Sequence, residues 1–365
     1  MLDYQTFKAV TEENLKQYLP EAFQNEPHII KQIFKVNETK DTLLFPGKNP
    51  SPSIDINDMY EMYKESHDVD AVFQFTAEKI RYSMKMEADS LHLNRNRIFD
   101  KDYIKDHVFC MLINTDANEK MLSEIPHRAF CDLSVIYRLM VNENDDSISS
   151  TVIGNELFKE LKCTEEELYH LAVANTKEMF PSVVTPIGDA LASFGIPVPY
   201  APSEMLVLSN EKQTFGATSM LYPEALDKIA ERLNSDFIIL PSSLHEVIIL
   251  PADIVSPEEA SKAVFEINRD VVPLKDVLSN QVYKYDRRER QLLPACEPVS
   301  RSILPEKQPI KEVETNIGRI PIDDYRDIVA MQNGFRDYDD MRKQGYCLGD
   351  AYDRKPNQPK HRKGR

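Results

Sequence analysis

The sequence predicts an α+β fold: mixed, largely antiparallel sheets with packed helices, plus a small C-terminal helical hairpin. Three observations carry that expectation. From Met205 onward, apolar runs and helical periods follow the order ββαββα. Two of the connections there are too short for the crossovers that parallel strands need. Two helix starts carry full N-terminal signals, Thr164 with Glu167 three residues on, and Ser256-Pro257-Glu258-Glu259. Apolar residues make up 42% of the 365, enough for a core.

In chain order, Tyr4 to Leu19 has helical spacing, with Phe7, Val10, Leu15 and Leu19 in an approximate stripe that Pro20 stops. His28 to Val36 and Thr42 to Phe45 are short β runs, followed by a turn over Pro46 to Pro52. Ile54 to Tyr63 leads into a helix over Val69 to Met84, with Val72, Phe73 and Ile80 near one side. His107 to Ile113 is a buried strand, Glu119 to Ile125 a short helix, Phe130 to Val141 β-rich, and Asn142 to Asp146 a turn. Helices follow at Ile153 to Leu161 and Glu165 to Met179.

Pro181 to Pro202 carries five prolines and reads as an extended crossing between lobes. Beyond it come strands at Met205 to Leu208 and Phe215 to Leu221, and a helix at Glu224 to Leu233 opened by Pro223. Strands at Phe237 to Leu240 and Val247 to Leu250 precede the helix begun by Ser256. Pro294 to Gly318 has the composition of a linker. Ile322 to Asn333 and Tyr338 to Gln344 form a helical hairpin broken at Gly334, with little core of its own. The expected organisation is an N-terminal α+β lobe (1–200), a ββαββα lobe (201–293), a Pro-rich linker (294–318), the hairpin module (319–350) and a basic tail (351–365).

Lys and Arg number 44 against 60 Asp and Glu, a formal charge of −16. Such a surface repels phosphate backbones. Nucleic-acid contact is therefore expected only through Arg287 and Arg288 or through the tail, residues 354–365, where Arg354, Lys355, Lys360 and Arg362 stand without an acid. Cys110, Cys131, Cys163, Cys296 and Cys347 are odd in number and form no CxxC, which fits free thiols in the cytoplasm. The segment MLDYQTFKAV lacks the basic-then-apolar pattern of a leader, and no apolar run has the length of a membrane span, so no membrane partner is expected.

The phosphate-cradling patterns GxxxxGK[ST] and GxGxxG are absent, as are HExxH, EF-hand loops and GxSxG elbows. His127 with Cys131 is the nearest metal-like pair, and two ligands four apart do not make a site. Asp337, Asp339 and Asp340 read as a solvated helix face. No metal and no cofactor is expected.

The best candidate site is the turn Pro241-Ser242-Ser243-Leu244-His245-Glu246 between two continuous apolar runs. Such runs mark strands buried on both faces, a rigid platform. The turn offers two hydroxyls, an imidazole and a carboxylate as candidate catalytic groups: Ser242, Ser243, His245 and Glu246. If pairing reaches Ser243, strand alternation puts Ser243 and His245 on one face and Glu246 on the other, which weakens a local relay. The alternative is structural, with Ser242 and Ser243 capping the turn and His245 a satisfied residue at a strand start. His127 and Arg128 are a candidate anion clamp or a plain surface turn. Tyr283 and Tyr285 interleave with Arg287 and Arg288, either as a binding surface or as a charged hairpin edge.

The strings LPEAF, SPSIDINDMYEMYKES, MLINTDANEKMLSEIPHRAFCDLSVIYRLMV, EEELYHLAVANT, FGATSMLYPEALDKIAERLNSDFIILPSSLHEVIILP and DVLSNQVYKYDRRER resemble the domain-of-unknown-function 5688 family of gut Firmicutes. The order of EEL, A and NT before hairpin, helix and hairpin is more faintly similar to YtpQ-like uncharacterised proteins. The C-terminal IPIDDYRDIVAMQNGFRDYDDMRKQGY looks like a module appended to proteins of mobile elements. The resemblance implies a cytoplasmic bacterial protein carried on such an element. It brings no activity and no catalytic residues. Two functions stand open. The first is a binding or interaction protein with a protein partner, and the second a hydrolase or transferase using His245 with Ser242 or Ser243.

Overall fold

The computed structural model describes residues 2–46, 53–90, 100–144, 147–193, 195, 204–304, 312–315 and 318–346. The chain divides into two compact units, each assembled from segments distant in sequence. The first takes Met1–Asn25, Asp58–Phe75 and Glu306–Arg365, and the second Glu26–Asn57 and Thr76–Pro305, so far as these are described. The fold is α+β, and every strand pair among the described residues is antiparallel. No helix among them is long and apolar enough to cross a membrane.

In the first unit the helix Tyr4–Asn14 begins at Asp3, whose carboxylate accepts from the Thr6 N–H at 2.9 Å. Its Phe7 is fully buried among Tyr60, Tyr63 and Phe73, and the Tyr63 ring stacks on it at 5.1 Å. The expected C-terminal hairpin is present as helices Ile322–Gln332 and Tyr338–Lys343, turned at Gly334 with φ +86°. Asp337 caps the second helix. Its core is small, Ala330, Tyr338 and Met341 with Phe335 against them. A strand pair, Glu312–Thr315 with Gly318–Pro321, precedes it and spans the end of the expected linker and the first residues of the expected module.

In the second unit β1 (Ile29–Lys35), β2 (Glu38–Leu44) and β3 (Ile54–Asp55) form a three-stranded sheet. Asn37, in the left-handed region at the β1–β2 turn, is buried and ties this hairpin to the rest of the unit. Its backbone N–H donates to the Asn118 amide oxygen at 2.7 Å, and its side-chain amide donates to the carbonyls of Leu274 and Val277. After α1 (Lys101–His107), a second sheet holds β4 (Val108–Asn114), β5 (His127–Phe130), β6 (Leu133–Asn144) and β7 (Ser147–Val152). The long β6 pairs β4 along one side, and β5 then β7 along the other. The strand β7 falls where the sequence shows no β period.

Helices α2 (Asn155–Leu161) and α3 (Glu165–Met179) follow, and α3 starts with the expected capping box of Thr164 and Glu167. Every residue of β4 is buried, although β4 is an edge strand. Side chains occupy the backbone groups that no strand pairs. Thr176 of α3 accepts from the Cys110 N–H at 2.8 Å, Thr218 from the Leu112 N–H at 3.3 Å, and Asn175 donates to the Val108 carbonyl at 2.9 Å.

The third sheet has six strands in the order β13-β12-β10-β11-β9-β8. They are β8 (Ser182–Pro186), followed by helix α4 (Ile187–Ser193), then β9 (Leu206–Asn210), β10 (Phe237–Leu240), β11 (Val247–Pro251), β12 (Tyr283–Asp286) and β13 (Gln291–Pro294). Helix α5 (Pro223–Leu233) precedes β10, and α6 (Pro257–Asp270) follows β11 behind the Ser256 capping box. The β10–β11 hairpin is central, as its continuous apolar runs require.

Two expectations fail here. Phe215 to Leu221 is not a strand, because Gln213 and Phe215 adopt φ near +50° and residues Gly216–Leu221 coil into a fully buried 3-10 helix. Their apolar run reflects burial on all sides and not extension. Pro181 to Pro202 is not an extended crossing in its first half. Ser182–Pro186 pairs with β9, and Pro186 is tolerated at the end of an edge strand. Residues 196–203 lie outside the described set, as does most of the expected turn at Pro46 to Pro52.

One continuous core joins the second and third sheets with α3 and α5. Leu206, Leu208, Phe237, Ile239, Val247 and Ile249 point into it. On the opposite face of the third sheet, α6 covers the β10 and β12 side with Ala260 and Val264 against Ile238 and Val282.

Candidate functional site

The 241–246 turn sits at one end of the central hairpin. Pairing between β10 and β11 stops at Leu240 and Ile248, so Ser243 lies outside the ladder. Strand alternation therefore does not separate Ser243 from Glu246. The Ser243 hydroxyl donates to Glu246 Oε1 at 3.3 Å and accepts from the His245 N–H at 3.0 Å. Leu244 is buried, its N–H donates to the Asp276 carbonyl at 2.8 Å, and its carbonyl accepts from Ala217 N–H at 3.3 Å.

The imidazole of His245 turns away from both serines. Its Nδ1 accepts from the Phe215 N–H at 3.3 Å, and its Nε2 is 3.6 Å from Asp276 Oδ1. A neutral ring accepting at Nδ1 carries its proton on Nε2, toward the carboxylate. The Phe215 ring stacks over it at 6.0 Å. Gly216 makes this packing possible. A Cβ there would meet the Ser209 hydroxyl at 2.2 Å and the His245 carbonyl at 2.3 Å.

Ser242 and Glu246 instead line a cavity of about 410 Å³. Val183 of β8, Val207 of β9 and Ile248 of β11 form its apolar wall, and Thr185 of β8 adds a polar group. This is the half of the sheet face that lies away from α6. Helix α4 contributes Ile187, Asp189 and Leu191. Asp189 and Glu246 are the ionisable lining residues, and no Lys, Arg or His lines it among the described residues.

His127 and Arg128 sit at the start of β5. The Arg128 guanidinium bonds Glu165 at 3.0 Å, contacts Glu166 and stacks on the Tyr169 ring at 4.2 Å. Its hydrogen bonds to Glu166 and Glu165 raise its pKa further. Two carboxylates already neutralise it, which argues against an anion clamp. His127 is exposed and bonds the Ile125 carbonyl at 3.1 Å.

Tyr283 and Tyr285 point into the core, so neither ring can stack on a base. The Tyr283 hydroxyl donates to Asp132 Oδ1 at 2.6 Å, and Tyr285 to Asp227 at 2.7 Å. Burial, then Asp132, pushes the Tyr283 phenol well up. Arg287 is held at the β12–β13 turn by Asn234 and Asp236, beside the exposed Arg288. The basic tail, residues 354–365, lies outside the described residues. Among the described residues no three His, Cys, Asp or Glu are placed to hold a metal.

Sequence reasoning missed the partners. Asp276 and Phe215 reach His245 from about thirty residues away on either side, with no local signal. Asp132 holds both Tyr283 and Ser279, whose hydroxyl donates at 2.5 Å. The only hint was that all these residues fall in the strings that carried the family resemblance.

No curated protein and no solved structure matches the chain. A family model described as a family of unknown function, DUF5688, matches residues 4–287. That match supports the first resemblance and does not show the one to YtpQ-like proteins. With most of its length covered, the chain belongs to the DUF5688 family of unknown function.

Proposed function

We propose that this is a binding protein and that its ligand occupies the cavity beside the 242–246 turn. The observation that carries the reading is how the turn divides its groups. Ser242 and Glu246 face a cavity of about 410 Å³, while the His245 ring is engaged elsewhere on both nitrogens. The size is that of a small-molecule or side-chain pocket. An apolar wall beside carboxylates and hydroxyls suits an apolar body with a hydrogen-bond donor. The favoured occupant is a segment of a protein partner, because β8 ends the sheet and offers one edge for an extended strand. The hydrolase reading has less support, since His245 would have to break its bond from Phe215 to accept a serine proton at that nitrogen. Among the described residues the thiols of Cys110, Cys131, Cys163 and Cys296 are unpaired, which favours a cytoplasmic setting. Carriage on a mobile element rests on the C-terminal resemblance alone.

The test is a fragment screen by methyl NMR on the full chain. Bound amines or guanidines are expected to shift Val207 and Ile248 methyls. Ile248→Trp, which fills the cavity, is expected to abolish those shifts. An esterase activity that His245→Ala removes without loss of fold would overturn the reading.

A further inference from the structure

A second cavity of about 310 Å³ lies between α1, the end of α2 and the face of α3. Ile104 of α1, Val108 of β4 and Leu168 of α3 form its buried floor. Leu161 and Leu171 form half-exposed walls. The walls are fixed. Asn175 of α3 donates to the carbonyls of Lys105 and Val108 at 2.7 and 2.9 Å, fastening the end of α1 to α3. Lys162, in the left-handed conformation, ends α2 and turns the chain so that Cys163 faces the cavity ahead of the α3 cap.

The charges at the mouth are unequal. Glu167 lines the rim, but its carboxylate is taken by the capping box, accepting from the Thr164 N–H and hydroxyl at 2.8 and 3.0 Å. Lys101 has no ion-pair partner among the described residues. Lys105, one turn on, holds only a 3.4 Å contact to the exposed Asp102. An apolar floor lined also by two under-used lysines suits an aliphatic chain ending in an anion. We infer that this cavity binds a medium-chain aliphatic carboxylate, with its chain on Ile104, Val108 and Leu168 and its carboxylate toward Lys101 and Lys105. This site shares no residue with the cavity proposed above, so the two stand or fall separately.

The Cys163 thiol supplies a native reporter. Burial, with Glu167 nearby, raises its pKa, so it alkylates slowly as a neutral thiol. The experiment uses the full chain, iodoacetamide and site-resolved mass spectrometry, with the exposed Cys131 as the internal control. Saturating octanoate or decanoate is expected to slow Cys163 labelling by about tenfold and to leave Cys131 unchanged. Octanol is expected to bind about tenfold more weakly than octanoate, and a Lys101→Glu, Lys105→Glu double variant to erase that difference. Both lysines are exposed, so this variant is expected to fold. Leu171→Trp, filling the cavity, is expected to remove protection altogether. Equal slowing at Cys131 would mean non-specific action and would overturn the proposal. So would no protection at Cys163, or equal binding of acid and alcohol.

Discussion

At Gly216 the structure leaves no room for a methyl group. The nearest atoms to an added Cβ include the His245 carbonyl and the Asn210 backbone nitrogen, neither the end of a flexible chain. Gly216→Ala must therefore push the 242–246 turn away from β9. The expected cost is about 1–3 kcal/mol, read from urea unfolding, with shifted resonances for Ser242 and His245. Wild-type stability in that variant would show that the turn moves freely. Asp132 works in the opposite sense, by what it accepts. Its two oxygens serve the Ser279 and Tyr283 hydroxyls, both on fully buried residues. Asp132→Ala leaves two hydroxyls without that acceptor, and a loss of about 2–4 kcal/mol is expected, whereas Asp132→Asn, keeping one acceptor oxygen, should lose less. Equal losses would mean that the two hydroxyls draw little from the carboxylate.

Among the elements, α3 combines a local and a non-local role. Its start is set by Thr164 and Glu167 within one turn. Thr164→Ala is expected to cost about 1 kcal/mol in thermal or urea unfolding. Its C-terminal half satisfies the open edge of β4. Thr176→Val keeps the volume but removes the acceptor of the Cys110 N–H, and about 1–3 kcal/mol is expected to be lost. The same contrast explains what the sequence disclosed. Capping is written in neighbouring residues, so the starts at Thr164 and Ser256 were legible, and so were β10 and β11 from their unbroken apolar runs. The 3-10 helix at Gly216–Leu221 carries a strand-like sequence because short apolar runs look alike whether coiled or extended. β8 was hidden by the prolines at both its ends. At the candidate site the turn itself was legible. The orientation of its imidazole was not, because the Phe215 N–H and the Asp276 carboxylate that fix it come from segments the local pattern does not link.

For the whole molecule, alkaline pH is the informative variable. Burial pushes the Cys110 thiol up to about 12. It also raises the phenols of Tyr137, Tyr222 and Tyr283, with Glu165 and Asp132 adding to the first and last. These groups ionise in the unfolded chain near 9.0 for the thiol and 10.0 for the phenols, while the folded chain keeps its protons. The unfolded state then binds fewer protons than the native one, so stability falls as pH rises. It is expected to be whole below about pH 9 and to drop by up to about 1.4 kcal/mol per pH unit for each group once its unfolded form ionises. Urea titrations at about pH 8 and about pH 10.5 would show this, and a flat profile would mean that the buried phenols are hydrated.

The order β13-β12-β10-β11-β9-β8 places three antiparallel strand pairs side by side, with the middle one reversed relative to the chain direction. Each outer pair is complete in itself, but β10 meets its second neighbour only when β12 exists, more than forty residues later. A nascent or truncated chain that stops after α6 therefore bears a bare Phe237-Ile238-Ile239-Leu240 border, uncharged and ready to pair with another copy. Such fragments are expected to aggregate, while chains that extend through Pro294 stay dispersed.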